Sequence, residues 1–191
     1  MRDLTHLAFH PLTPERWADL ERLFGPDRGA YSGCWCMWWR TTRNAWTAMG
    51  KAKRRAAFKN LVEGAAVPGI LAYDGERPVG WCAVAPRRDT PGLDRSPVAR
   101  PVDDAEVWSI TCFYVAAPYR RDGMMSALVE AAVAHAGRAG ARIVEAYPHD
   151  RSDKVGAGDV FMGLASPFRR CGFHEVARRT PKRPVMRRQL R

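Results

Sequence analysis

Apolar positions recur every second residue in some stretches of this chain and every third or fourth in others, and the change of period delimits its elements. The run at 7–9 predicts an opening strand. Thr13 and Pro14 suit the cap and first position of a helix extending to Phe24. A loop follows over 25–33, and Phe58, Leu61 and Val62 supply part of the apolar stripe of a helix over 47–63. Residues 70–73 and 78–84, separated by Asp74-Gly75-Glu76-Arg77, read as a β-hairpin. Residues 86–104, rich in Pro, Arg and Asp, read as an exposed loop. The nearly unbroken apolar run 107–115 predicts a central strand covered on both faces. A helix over 125–138 places Leu128, Val129, Ala132, Val133 and Ala136 on one face, and 142–147 is the next strand. Ser166 caps a short helix with Pro167 at its first position and Gly172 at its exit, and strands over 174–178 and 184–190 follow. Two helices, a hairpin, then β–α–β with a last helix and strands fit a mixed α/β sheet.

Composition narrows the class. At 191 residues with 46% hydrophobic side chains, the chain suits one domain, 1–191, with its own core. No uncharged run approaches the roughly eighteen residues of a membrane helix, and the first residues lack the apolar core of a signal peptide. Five cysteines without a framework spacing point to a reducing cytoplasm. The net charge of +11 favours anionic partners. Its clusters, at 51–55 and 178–191, lack the interleaved aromatics on which bases stack, so nucleic acid is set aside in favour of a polyphosphate ligand.

Residues 113–126 carry the most specific chemistry. An apolar strand enters a basic turn with Arg120, Arg121 and Gly123, and a helix starts directly after it. A helix start has four N–H groups without intrahelical partners and a partial positive charge, which suits phosphate. This segment resembles the acyl-CoA-binding signature of the GCN5-related N-acetyltransferases, Arg/Gln-x-x-Gly-x-Gly/Ala after a strand ending near valine. Val115, Arg120, Gly123 and Met125 stand at its places, Met125 where a small residue is usual. A second match, Phe168-Arg169-Arg170-Cys171-Gly172-Phe173, is similar to the family's Tyr-x-x-x-Gly-Phe. The resemblance is strongest over 79–190 and leaves 10–65 as a helical, acceptor-side region.

The resemblance implies an acyl-CoA N-acyltransferase-like fold, a mixed, centrally splayed β-sheet flanked by helices, with a bulge in the strand over 110–115. It implies acetyl-CoA as co-substrate, bound by Phe113, Tyr114 and Val115 along pantetheine. Arg120, Arg121, Asp122, Gly123, Met124, Met125 and Ser126 would then hold the phosphates. The backbone N–H and C=O groups of Phe113 and Val115 are the expected pantetheine partners. No metal enters this reading, and a homodimer is a possible assembly.

Transfer of the acetyl group to an amine is helped by a base, oxyanion donors and a proton for the leaving sulfur. Two places where relatives carry a glutamate and a tyrosine hold Ser109 and Phe168 here. Glu106 falls on the opposite strand face by alternation. Alternation aligns Glu145, Tyr147 and His149 on the next strand, and Glu145 and Tyr147 are the candidate base and acid; the bland reading pairs Glu145 with an arginine and packs Tyr147.

The segment Cys34-Trp35-Cys36-Met37-Trp38-Trp39 concentrates aromatics and thiols. Trp35, Trp38 and Trp39 read either as an aromatic wall that receives an amine by cation–π contact or as ordinary core. A Cys-x-Cys pair suits a soft metal only with further ligands, and Cys82, Cys112 and Cys171 stand alone in sequence, so packing is the better reading. The reading as a whole is an acetyl-CoA-dependent N-acetyltransferase for the amine of a small molecule. A CoA-binding module without turnover, or a basic nucleic-acid-associated protein, are the alternatives.

Overall fold

The computed structural model describes residues 3–25, 29–150 and 160–191. Its elements are β1 (Ala8–Pro11), α1 (Trp17–Phe24), α2 (Arg43–Glu63), β2 (Gly69–Asp74), β3 (Arg77–Pro86), β4 (Trp108–Val115), α3 (Met124–Arg138), β5 (Ile143–Ala146), α4 (Ala165–Arg170), β6 (His174–Thr180) and β7 (Arg183–Gln189). Residues 26–28 of the expected 25–33 loop lie outside the described residues.

Local chemistry explains where these differ from expectation. Pro14 opens a 3-10 turn rather than an α-helix, and the Thr13 hydroxyl accepts from Arg16 Nη1 at 3.3 Å instead of capping. α2 begins at Arg43 because the Thr42 hydroxyl accepts from the Ala45 N–H at 3.2 Å, and the helix breaks at Gly50. Leu164, not Ser166, precedes α4. The 86–104 stretch is not simply exposed: Leu93 and Ala99 are fully buried with Tyr147, Met162 and Val185.

The strands form one sheet in the order β1-β2-β3-β4-β5-β7-β6. Only β4 and β5 run parallel, and their pairing ends at Ile110 and Ala146. Beyond that point the sheet splays. Residues 160–164 enter the gap: Phe161 C=O accepts from the Phe113 N–H at 2.7 Å, and Gly163 C=O accepts from the His149 N–H at 2.9 Å.

A bulge in β4 sets the faces. Ala83 pairs with Cys112 and Val84 with Ile110, so Thr111 has no partner on β3. The extra residue shifts the alternation by one. Ile110 and Phe113 therefore share the core under α3, with Leu128, Val129 and Ala132. Cys112 faces the other core, under α1 and α2, with Leu20, Phe24, Trp35, Phe58 and Trp81.

Candidate functional site

On the α3 side of the splay lies a cleft of about 560 Å³. Phe113 and Val115 form its strand wall, and Arg120, Arg121, Gly123, Met124, Met125 and Ser126 line its turn and helix start. Arg170 faces them from α4, so among the described residues three arginines and no carboxylate line the cleft. Gly123 caps α3 with φ 91°, a conformation that side-chain-bearing residues resist. The first-turn N–H groups of α3 thus face a positively charged recess, which suits an anionic, phosphate-bearing ligand.

Two of the four expected backbone partners on β4 are already engaged. The Phe113 N–H donates to Phe161, and Val115 C=O accepts from Arg120 Nε at 2.8 Å. Strand geometry directs both groups of a residue to one side, which leaves Val115 N–H and Phe113 C=O toward the gap. Tyr114 points the other way; its ring packs edge-on against Phe24 at 5.4 Å, and it does not line the cleft. Asp122 does not line it either. Met125 reaches across: its Sδ lies 3.5 Å from the Leu164 N–H, pinning the 160–164 segment.

On the opposite face of β4 is a smaller cavity of about 190 Å³, lined by Ser32, Cys34, Cys36, Trp38, Trp39, Trp46, Thr111, Cys112 and Phe161. Among the described residues no charged side chain lines it. Trp38 stands edge-on to Trp46 at 5.0 Å and to Trp39 at 6.2 Å. Thr111, the bulge residue, and Phe161, the insert in the splay, form the side nearest the cleft.

The sequence of residues 31–156, more than half of the chain, matches the model of the acetyltransferase (GNAT) family. The chain belongs to that family. Solved structures agree in fold. The PaiA N-acetyltransferase of Thermoplasma acidophilum, in complex with coenzyme A, superposes with a TM-score of 0.54 at 11% identity, covering 96% of this chain and 99% of its own. The ribosomal-protein-S5-alanine acetyltransferase of Vibrio fischeri gives 0.56 at 11% identity, with 98% and 95% covered. An agmatine N-acetyltransferase mutant gives 0.60 at 10% identity, with 97% and 100% covered. No curated protein matches the sequence. The protein is therefore an N-acetyltransferase that uses acetyl-CoA, and the arginine-lined cleft has the charge and donors that its diphosphate needs. No helix among the described residues is long and apolar enough to cross a membrane.

The candidate base and acid of this acetyltransferase lie away from both cavities. Glu145 is fully buried. Its Oε1 accepts from Arg87 Nη1 at 2.9 Å and from the Tyr147 hydroxyl at 2.6 Å, and its Oε2 accepts from Arg187 Nε at 2.6 Å. Arg187 continues to Asp103 through two bonds. Burial first, then the Glu145 charge, pushes the Tyr147 phenol well above its usual range. The Tyr147 hydroxyl also meets Ser109 Oγ at 2.9 Å. His149 Nε2 meets Arg183 at 2.7 Å instead of joining the pair. Alternation did bring Glu145 and Tyr147 together, but the group is a buried charge network with no open side toward a substrate.

The aromatic candidates divide. Trp38 and Trp39 line the neutral cavity, whereas Trp35 is buried core, stacked on Trp17 at 5.9 Å. Trp46 completes the wall in its place; its position in the polar first turn of α2, where a large aromatic has no helical stripe to join, was the available signal. Arg170 and Cys112 were also missed, because only the fold carries them to these cavities. Phe168, at the family's tyrosine place, is fully buried against Phe113 and Phe173.

Cys112 is not isolated. It lines one cavity with Cys34 and Cys36, its Sγ 3.9 Å from Phe113 C=O; the proximity of Cys112 first, then of Cys36, holds the Cys34 thiol well below the usual thiol range. The Cys36 N–H also donates to Cys34 Sγ at 3.4 Å, and Trp81 Nε1 to Cys36 Sγ at 3.1 Å. The same proximity to Cys34 pushes the Cys112 thiol up, so its proton stays in place. Among the described residues no three His, Cys, Asp or Glu side chains are disposed to hold a metal ion.

Proposed function

We propose that this N-acetyltransferase acts on the amino group of a small molecule with an aromatic or apolar body. The observation that carries this reading is the neutral, tryptophan-walled cavity on the far side of β4 from the arginine-lined cleft. Its volume, about 190 Å³, falls below the roughly 300 Å³ at which pockets for drug-sized ligands begin. Among the described residues no carboxylate lines it, which disfavours a polycationic acceptor. The Arg54 guanidinium already stacks on Trp46 at 3.4 Å, so Trp38 and Trp39 are the indoles left to receive one ammonium group by cation–π contact.

Acetyl-CoA would lie in the cleft, its diphosphate over the N–H groups of Met124, Met125 and Ser126, with Arg120, Arg121 and Arg170 as counter-charges. Val115 N–H and Phe113 C=O, the latter holding only a long contact from Cys112 Sγ at 3.9 Å, are the backbone groups that would align pantetheine. The bulge and the insert at Phe161 are where the two cavities approach each other, so the acceptor nitrogen would meet the thioester there. Holding both reactants at that point supplies much of the rate by orientation alone. All five cysteines are free thiols, which supports a cytoplasmic location as part of the same reading.

Calorimetric titration with acetyl-CoA, beside CoA and adenosine 3′,5′-bisphosphate, tests the cleft, and a panel of small amines set against peptides tests the acceptor. Gly123→Asp places a carboxylate beside the diphosphate in a strained conformation and should abolish acetyl-CoA binding in a folded protein. Unchanged affinity would refute the site. Faster transfer to peptides than to every small amine would refute the acceptor class.

A further inference from the structure

β4 carries one residue without a counterpart on β3. Ala83 pairs with Cys112 and Val84 with Ile110, so Thr111 is the extra residue between two fixed pairs. A bulge of this kind re-aims a side chain. Here the side chain lines the tryptophan-walled cavity together with Phe161, two residues before Phe113 enters the wall of the arginine-lined cleft. We propose, building on the reading above, that the Thr111 hydroxyl orients the acceptor for attack. Its oxygen accepts a hydrogen bond from the amine N–H and leaves the nitrogen lone pair aimed at the thioester.

The hydroxyl is buried and unclaimed. Thr111 is 5% exposed. Among the described residues nothing hydrogen-bonds its side chain, and its oxygen is not one of those sealed in the packing without a partner, so it opens onto the cavity. A hydroxyl held out of water without a partner is costly, and such a group in a native fold calls for a ligand that completes it. Ser32, the other hydroxyl among the described lining residues, is exposed. The thiols beside Thr111 are weak hydrogen-bonding groups. An amine entering between the indoles therefore meets its strongest buried hydrogen-bond acceptor at Thr111. The geometry is also set in advance. Ladder pairs hold the backbone on both sides of the bulge, the Phe113 N–H is tied to Phe161 C=O at 2.7 Å, and the β-branched side chain has few rotamers.

In the step itself the neutral amine forms the C–N bond to the acetyl carbonyl, the carbonyl oxygen takes the electron pair, and the nitrogen becomes positively charged. The thioester C–S bond then breaks, and a proton from nitrogen goes to the departing CoA thiolate. Thr111 takes no proton. Its bond strengthens as the charge develops on nitrogen, because an N–H on a cation is the better donor. An interaction that is stronger in the transition state than in the bound substrate raises kcat. The same arrangement selects primary amines. A neutral primary amine has two hydrogens, one held by Thr111 and one to be lost, whereas a secondary amine has a single hydrogen for both purposes.

Thr111→Val removes the hydroxyl and keeps the branched shape, and Thr111→Ser keeps the hydroxyl. The probe is phenethylamine, or the small primary amine that the panel turns over fastest, beside its N-methyl derivative. Thr111→Val should bind acetyl-CoA as the wild type does and unfold at the same temperature or higher, since the hydroxyl has no protein partner to lose. Its kcat/KM for the primary amine should fall about 10–100-fold, mainly through kcat, as for a hydrogen bond to a charged group. Thr111→Ser should recover much of that loss. The wild type should prefer the primary amine to the N-methyl derivative, and Thr111→Val should erode that preference. A kcat/KM within twofold of wild type in Thr111→Val would overturn the inference, as would a serine variant no faster than the valine variant or an unchanged primary-to-secondary ratio. A lowered unfolding midpoint in Thr111→Val would also overturn it, because the hydroxyl would then serve the fold. If the wild type bound no acetyl-CoA or acetylated no small amine, the reading of the two cavities would fall, and this inference with it. Normal binding and turnover with an insensitive Thr111 would remove this inference alone.

Discussion

Glu145→Gln separates a structural network from a catalytic pair. The substitution keeps the size of the side chain and removes its charge at a fully buried position. Three short bonds converge on the carboxylate, from Arg87, Tyr147 and Arg187 at 2.9, 2.6 and 2.6 Å. The amide oxygen can keep the first two, but its NH₂ then faces the Arg187 Nε–H, donor against donor. Arg87 and Arg187 are both largely buried, with side-chain exposures of 12% and 7%. Removing one partner of a buried pair leaves uncompensated charge and costs about 3–5 kcal/mol. Arg187 retains Asp103 and Arg87 retains Asp94, which argues for the lower end. For a domain of this size each kcal/mol lowers the unfolding midpoint by roughly 2–4 °C, so a fall of about 10 °C is expected. Thermal unfolding gives the midpoint, and kcat is measured at a temperature where both proteins are folded. An unchanged midpoint with a large loss of kcat would refute the reasoning and return Glu145 to the mechanism.

Gly163 sits at φ 90°, where an added Cβ would lie 3.0 Å from Phe168 Cε2 and 3.1 Å from Phe113 Cε2. Gly163→Ala should therefore destabilise by about 1–3 kcal/mol and weaken acetyl-CoA binding, since the displaced Leu164 and Val160 line the cleft; equal stability in denaturant titration would contradict this. Asp150 is held down to about 2, first by its bond to Arg169 and then by Arg178. A depressed carboxylate stabilises above its unfolded value of 3.8 and loses that contribution as the pH falls through about 2. Melting midpoints should drop across that window, and Asp150→Asn should flatten the drop. Solvent screening keeps the effect below about 1 kcal/mol, and an identical acid profile in the variant would show that Asp150 carries none of it.

Much of this protein was legible along the chain because the signals are local. The turn at Arg120–Gly123, the amphipathic face of α3 and the β2–β3 hairpin each follow from a few adjacent residues, and they were placed within a residue or two. Glu145 and Tyr147 show the limit. Alternation correctly put them on one side, Glu145 in β5 and Tyr147 just past its end, but their partners, Arg87 and Arg187, come from just after β3 and from β7. Only those partners make the group a structural network. Trp35 and Trp38 are three residues apart with the same chemistry, yet one is core and the other lines a cavity, because Trp35 takes a left-handed backbone conformation (φ 44°) that turns its ring onto Trp17.

The sequence by itself determined the order of elements, the phosphate-suited helix start and the family, since periodicity, caps and a spaced motif are properties of neighbouring residues. The tertiary structure decided which faces meet. The bulge at Thr111 slips the register of β4 by one residue, which reverses every later side chain. That slip places Phe113 against α3 and turns Cys112 toward the cavity it shares with Cys34 and Cys36, residues 78 and 76 positions earlier. No local pattern records such a slip, because it exists only in the pairing of one strand with another.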